Sequence, residues 1–140
     1  MAKAGGKRKK GKSSEIWPEL WMDKPEEHDY PAAEDYLSLI LPPKLAGELT
    51  KKLKKAPLIR RKAKDILRAS ELAILPRDNY FVSHNLEKIT KGKPLSPVLL
   101  VRGDALRRMP LIIADGYHRI CASWYYDENA RIPCRIIGCP

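Results

Sequence analysis

The stretch from Leu111 to Trp124 limits the fold more than any other part of this 140-residue chain. A short apolar run, Leu111-Ile112-Ile113-Ala114, ends in Asp115 and Gly116. A pattern of helical spacing then begins, with Ile120, Cys121 and Trp124 on one side. That is the pattern of a strand, a tight turn and a helix. Asp115, Tyr117, His118 and Arg119 are thereby gathered where a strand stops and a helix starts. The free N–H groups of a first helical turn attract anions, phosphate above all. Gly116 permits a positive φ angle or a close backbone approach there.

The formal net charge is +10. Six of the positive charges fall in Met1–Lys12, which has no acid, leaving +4 for the rest. Such an arm, with Lys7, Arg8, Lys9 and Lys10 at its centre, either gathers a polyanion such as nucleic acid by counterion release or only solubilises a disordered terminus. Cys121, Cys134 and Cys139 match no metal-ligand spacing and cannot all pair within one chain, so a reducing cytoplasmic setting is expected. No apolar run reaches the ~20 residues needed to span a membrane, and no membrane partner is expected.

The chain is expected to divide into a disordered basic tail at 1–14, a mainly helical region at 15–63 and an α+β domain at 64–140. Trp17 and Trp21 are expected to pack. Asp23 to Pro31 forms an acidic, proline-broken connector. Ala32 to Leu41 is expected to be helical, with Tyr36, Leu37, Ile40 and Leu41 as its apolar stripe. Pro42-Pro43 separates it from a second helix that carries Leu45, Leu49 and Leu53. Lys51, Lys52, Lys54 and Lys55 decorate that helix, and Arg60 and Arg61 extend its basic character. These are candidates for nucleic-acid contact or simply a solvated face.

Residues 66 to 75 are read as two short strands or one bent strand. Tyr80 to Thr90 is a helix, with Asp78-Asn79 as turn chemistry before it and Gly92 as its C-terminal cap. Val98 to Val101 is a strand buried on both faces, and Ala105 to Met109 is a basic loop or short turn. Ile132 to Ile137 is the last strand, and Pro133 argues for an edge position or a strand start. A small α+β domain follows, with a short mixed sheet and packed helices, preceded by the helical N-terminal region.

The segment Ile113-Ala114-Asp115-Gly116-Tyr117-His118-Arg119 resembles the signature turn of the ParB/sulfiredoxin superfamily. The resemblance covers about residues 64–138. Ile66–Ala69 and Leu72–Pro76 look like the family's opening strand and its proline-ended exit. Asn85–Ile89 and Lys91–Val101 look like its helix, glycine turn and second strand. The resemblance implies a ParB/sulfiredoxin-like fold whose turn binds nucleotide phosphates. Sulfiredoxins place a nucleophilic cysteine directly before the His-Arg pair. Tyr117 stands there in this chain, so that chemistry is not expected. Chromosome-partitioning members bind CTP through Gly-Glu-Arg-Arg, from which Tyr117 and His118 depart. The Asp-Gly-x-His-Arg form of free-serine kinases is matched at Asp115, Gly116, His118 and Arg119.

Arg119 can offer a planar fork to phosphate, and His118 can donate to it or move a proton near neutral pH. Asp115 can accept a hydroxyl proton, contact Mg²⁺ or merely cap the helix. Lys91 and Lys93 add charge on the loop around Gly92. The expected function is therefore binding of a nucleotide or nucleic-acid phosphate at residues 115–119. The alternative is a Mg-dependent phosphotransferase using ATP, ADP or CTP, with Asp115 and His118 as its catalytic pair. Nuclease activity ranks third, because no two-metal carboxylate cluster is visible in the sequence.

Overall fold

The structure, a computed structural model, describes residues 20–140. The basic residues Lys7, Arg8, Lys9 and Lys10, and also Trp17, lie outside that range. The described chain is α+β, with five α-helices and a four-stranded mixed sheet. Helices α1 (Asp29–Ile40) and α2 (Pro43–Lys55) are followed by strand β1 (Leu58–Lys62) and α3 (Ala63–Ser70). Next come α4 (Tyr80–Thr90), β2 (Val98–Val101), a 3₁₀ turn (Ala105–Arg107), β3 (Ile112–Asp115), α5 (Tyr117–Tyr126) and β4 (Arg131–Ile137). The strand order is β1-β4-β2-β3. β1 and β3 run antiparallel to their neighbours, while β2 and β4 run parallel.

The sheet separates two helical layers. Leu99 and Val101 point into a core made with Tyr30, Ala33 and Leu37 of α1 and with Leu49 and Leu53 of α2. Val98 and Leu100 point the other way, toward Ile66, Val82, Ile89 and Ile120 of α3, α4 and α5. All four β2 residues are buried, as a strand covered on both faces requires. Trp21 packs into the second core, and its backbone bridges Leu95.

Several elements match the sequence reading. Pro43 opens α2, where its missing N–H costs nothing. Asn79 caps α4 by accepting from the N–H groups of Phe81 and Val82. At the other end of α4, Gly92 has φ +71°, Gly92 N donates to Ile89 O at 3.1 Å and Lys93 N to Lys88 O at 2.8 Å. That pair of bonds closes a left-handed helix terminus.

Other elements correct it. Residues 66 to 75 are not strands: Ile66 to Ser70 belong to α3, and Leu72 to Leu75 are irregular. The buried positions of α3 are Ala63, Ile66, Leu67 and Ser70, a helical spacing with only two large apolar residues and a polar one at its end. The first strand of the sheet is instead Leu58–Lys62, an edge strand whose exposed Arg60 and Arg61 discourage further pairing. Helix α1 starts earlier than expected, at Asp29, because Pro31 fits a first helical turn. Its buried stripe is Tyr30, Ala33 and Leu37, whereas Tyr36 and Ile40 are exposed. Finally, β4 is an interior strand. Pro133 is tolerated there because it opposes only Arg60, pairing with β2 beginning at Cys134.

Arg135 of β4 joins the sheet to the α1–α2 layer. Its Nη1 donates to Lys54 O at 2.8 Å and Ala56 O at 2.6 Å, satisfying carbonyls at the C-terminal end of α2. Arg135→Met should cost about 2 kcal/mol by losing these charged hydrogen bonds. A denaturant midpoint that does not move would refute this anchoring role.

Candidate functional site

Asp115 ends β3, Gly116 turns the chain and Tyr117 opens α5. Gly116 is required twice over. Its φ is +110°, and a Cβ there would lie 2.5 Å from Val98 Cγ1 and 2.8 Å from Val98 Cβ. Strand β2 thus passes directly against the turn. No side chain caps α5, so the N–H groups of its first turn are not claimed by a capping residue.

Arg119 does not project as an open fork. Its side chain is 17% exposed. Its Nη2 lies 3.0 Å from Asp115 Oδ2, 3.7 Å from Asp29 Oδ2 and 3.4 Å from Pro97 O. Asp29, from the start of α1, is buried and was not anticipated in this role. Ser96 donates its hydroxyl to Asp29 Oδ2 and accepts the Glu26 N–H at 3.1 Å. His28 Nε2 lies 3.4 Å from Asp29 Oδ1 and 3.8 Å from Glu26 Oε1. One guanidinium therefore bridges two carboxylates, and a hydroxyl and an imidazole complete the cluster. Glu26, His28 and Asp29 also place one ligand atom each within 4.8 Å of one another, a grouping that could hold a cation.

The electrostatics follow from burial. Asp115 is pushed above the usual carboxylate range by desolvation, against the pull of Arg119, and the Asp29 charge pushes it further. His118 is pulled below the usual imidazole value, first by desolvation and then by Arg119. It is therefore neutral at pH 7, able to donate from one ring nitrogen and accept at the other. Cys134 is buried and its thiol is raised to about 11, which makes it inert; burial raises Cys121 as well.

The outer side of the turn is aromatic. The His118 ring lies 5.1 Å from Phe81 and 5.9 Å from Tyr117, centroid to centroid. Tyr80 continues the strip, 5.1 Å from Phe81 and stacked on His84 at 6.2 Å. Tyr80 is 73% exposed and Phe81 is 56% exposed, so these rings face solvent beside the start of α5. Tyr117 donates its hydroxyl to Ala73 O, and Tyr125 to Leu75 O at 2.7 Å. Two α5 hydroxyls thus satisfy the irregular segment after α3.

Comparison with known proteins gave no assignment. No family model, no curated protein and no solved structure matches the chain. No helix among the described residues is long and apolar enough to cross a membrane.

The structure thus brings together Asp115, Gly116, Tyr117, His118 and Arg119, with Asp29, His28, Ser96 and Phe81 added. Lys91 and Lys93 are exposed on the connection that leads to Ser96, and no hydrogen bond or ion pair ties them to the turn among the described residues. Lys51, Lys52, Lys54 and Lys55 are exposed on α2, away from its buried Leu49 and Leu53. Lys54 lies 4.0 Å from Glu27 and over the Tyr30 ring. Arg60 and Arg61 are exposed on edge strand β1. A weak signal for Asp29 existed: an acid is favoured in a first helical turn, and Pro31 is tolerated there.

Two outcomes test this geometry. Gly116→Ala should cost about 3 kcal/mol from unfavourable φ and overpacking, and adding Val98→Ala should recover only the packing share. Full recovery in the double variant would show that φ carries no strain. For His118, the depressed value means the native state resists protonation. Its contribution to stability is therefore lost as pH falls through 6.5 toward the native value. In an NMR titration Phe81→Ala should move His118 back up toward 6.5, because desolvation is the larger cause; an unchanged midpoint would exclude Phe81 as its source.

Proposed function

We propose that this protein binds a nucleotide or the phosphates of a nucleic acid at the N-terminal end of α5. The observation that carries this reading is the uncapped first turn of α5, entered through Gly116 and flanked by neutral His118 and the exposed Phe81 and Tyr80 rings. Backbone N–H groups would take the phosphate, and His118 would donate to it. The exposed rings would stack a base. Arg119 contributes indirectly, by holding Asp115 and Asp29 and so fixing the turn. The resemblance of residues 113–119 to the ParB/sulfiredoxin turn points the same way.

A second reading rests on a separate observation, the convergence of Asp29, Glu26 and Asp115 beside the same helix end. A phosphotransferase needs a carboxylate to accept the acceptor's hydroxyl proton while the nucleotide's terminal phosphoryl group moves to that oxygen. Asp115 would take that role in this reading, with the buried Asp29 behind it. Glu26, His28 and Asp29 could hold the divalent cation that neutralises phosphate charge.

Calorimetric titration with ATP, ADP, CTP and a short single-stranded oligonucleotide, with and without Mg²⁺, separates the readings. Saturable binding by the wild type, weakened about tenfold in Phe81→Ala through loss of stacking, is the expected result. Absence of saturable heat across the panel would overturn the binding proposal. Mg-dependent transfer of the terminal phosphoryl group to an acceptor hydroxyl, abolished in Asp115→Asn with the circular dichroism spectrum unchanged, would establish the transferase.

A further inference from the structure

The other end of the same strands holds a cleft of about 740 Å³. The register fixes its position. Leu99 pairs with Asp115 at the turn end of β2, whereas Val101 pairs with Ile112 at the opposite end, where the connection to β3 begins. The cleft lies between α3 and this connection, over a floor that includes Leu100, Ile136 and Leu111. Its size falls in the range of small-molecule sites, roughly 300–1,000 Å³.

The rim is cationic. Of four arginines lining the cleft, Arg68 is paired with Asp65 at 3.4 Å. Arg61, Arg102 and Arg108 have no carboxylate within 4.0 Å among the described residues. Asp104, also on the rim, is occupied: one oxygen accepts from Leu106 N at 3.0 Å and the other lies 3.5 Å from Arg107, outside the cleft. Glu71 is the one lining acid left without a cation.

The wall is built rather than loose. Asp104 and Met109 exchange backbone hydrogen bonds at 2.8 and 2.9 Å, and Leu111 N donates to Ala69 O at 3.0 Å, fastening the connection to α3. A Cβ on Gly103 would lie 2.5 Å from Met109 O, so this loop closes only with glycine there. The only non-glycine residues with positive φ among those described are Glu71 (60°) and Arg108 (59°), and both line this cleft. Each is the left-handed C-cap that ends a helical element, Glu71 for α3 and Arg108 for the 3₁₀ turn, so two helix ends fix the backbone of this wall.

From these observations we infer that the cleft binds a small amphipathic anion, a molecule with an apolar body and one carboxylate or phosphate head. The apolar body rests on Leu111, Ile136 and the exposed Met109. The head is taken by the unpaired guanidinium groups of Arg102 and Arg108, whose planar donors suit either oxyanion. This site is separate from the α5 turn, and its occupancy does not depend on nucleotide binding there.

The test is an amide NMR titration of the full chain with decanoate and with decyl phosphate, alongside inorganic phosphate and neutral decyl glucoside. Saturable shifts confined to the amides of residues 66–71 and 102–111 are expected for one or both amphipathic anions. Whichever binds identifies the head group. Arg108→Gly is the deciding variant, since glycine accepts the left-handed backbone and the fold is retained. It should weaken binding about tenfold, as loss of a charge-assisted contact does. The inference is overturned if neither anion saturates, if the neutral glucoside or inorganic phosphate binds equally well, or if the shifts fall on residues 115–119.

Discussion

A single guanidinium, Arg119, stands between two carboxylates in the interior, and much of the architecture is arranged to make that tolerable. Asp29 comes from α1 on one side of the sheet, while Asp115 and Arg119 belong to the β3–α5 turn. Pro97 O and Ser96, from the segment entering β2, supply an acceptor to the cation and a donor to Asp29. Charges taken out of water are costly unless paired and hydrogen-bonded, and removing one member leaves the others uncompensated. Arg119 is therefore a junction between α1, β2, β3 and α5. Desolvation raises Asp115 despite its arginine partner, and one positive charge facing two negative ones leaves an excess of negative charge that adds to the rise.

That imbalance divides the site. The inner side, with Asp29, Asp115 and Glu26, repels anions and favours a hydroxyl or a cation. The outer side offers the N–H groups of α5, the His118 ring and the exposed rings of α4, which favour an anion with a flat apolar part. In the proposed reading a nucleotide's phosphate would sit at the helix end and its base outward along the aromatic strip, leaving the inner side to a cation or a hydroxyl. Neutral His118 suits such a position, since it can donate to phosphate without adding a buried charge beside Arg119.

The strand-turn-helix at residues 111–126 could be read from the chain because its signals are local: an apolar run, a glycine at the bend and helical spacing after it. The same holds for α4, where Asn79 and Gly92 mark both ends. Asp29 was hidden because its partners, Ser96 and Arg119, are 67 and 90 positions away, and only the tertiary fold joins them. Helix α3 was missed because its buried stripe carries only two large apolar residues, Ile66 and Leu67, and ends on the polar Ser70. Strand β1 was missed for the opposite reason: it is an exposed edge, and Arg60, Arg61 and Lys62 give it no alternating signature. The aromatic strip escaped notice because it spans two helices. Phe81 lies off the buried Val82 and Ile89 face of α4, and only the tertiary fold brings His118 against it.

Strand β2 shows how few residues hold the two ends of the sheet in place. At ~3.3 Å per residue, its four residues span only about 13 Å. Val98 abuts Gly116 at one end, and Val101 meets the cleft connection at the other. Because every β2 side chain is buried, a slip of one residue would exchange Leu99 and Leu100 between the two cores. The same slip would withdraw Val98 from the turn and move Leu100 off the floor of the cleft. Parallel pairing with β4 resists it, since Val98 to Val101 match Cys134 to Ile137 residue for residue. The register that keeps the cores filled is thus the register that shapes both ends, so neither end can be rebuilt by sliding this strand while the two cores stay packed.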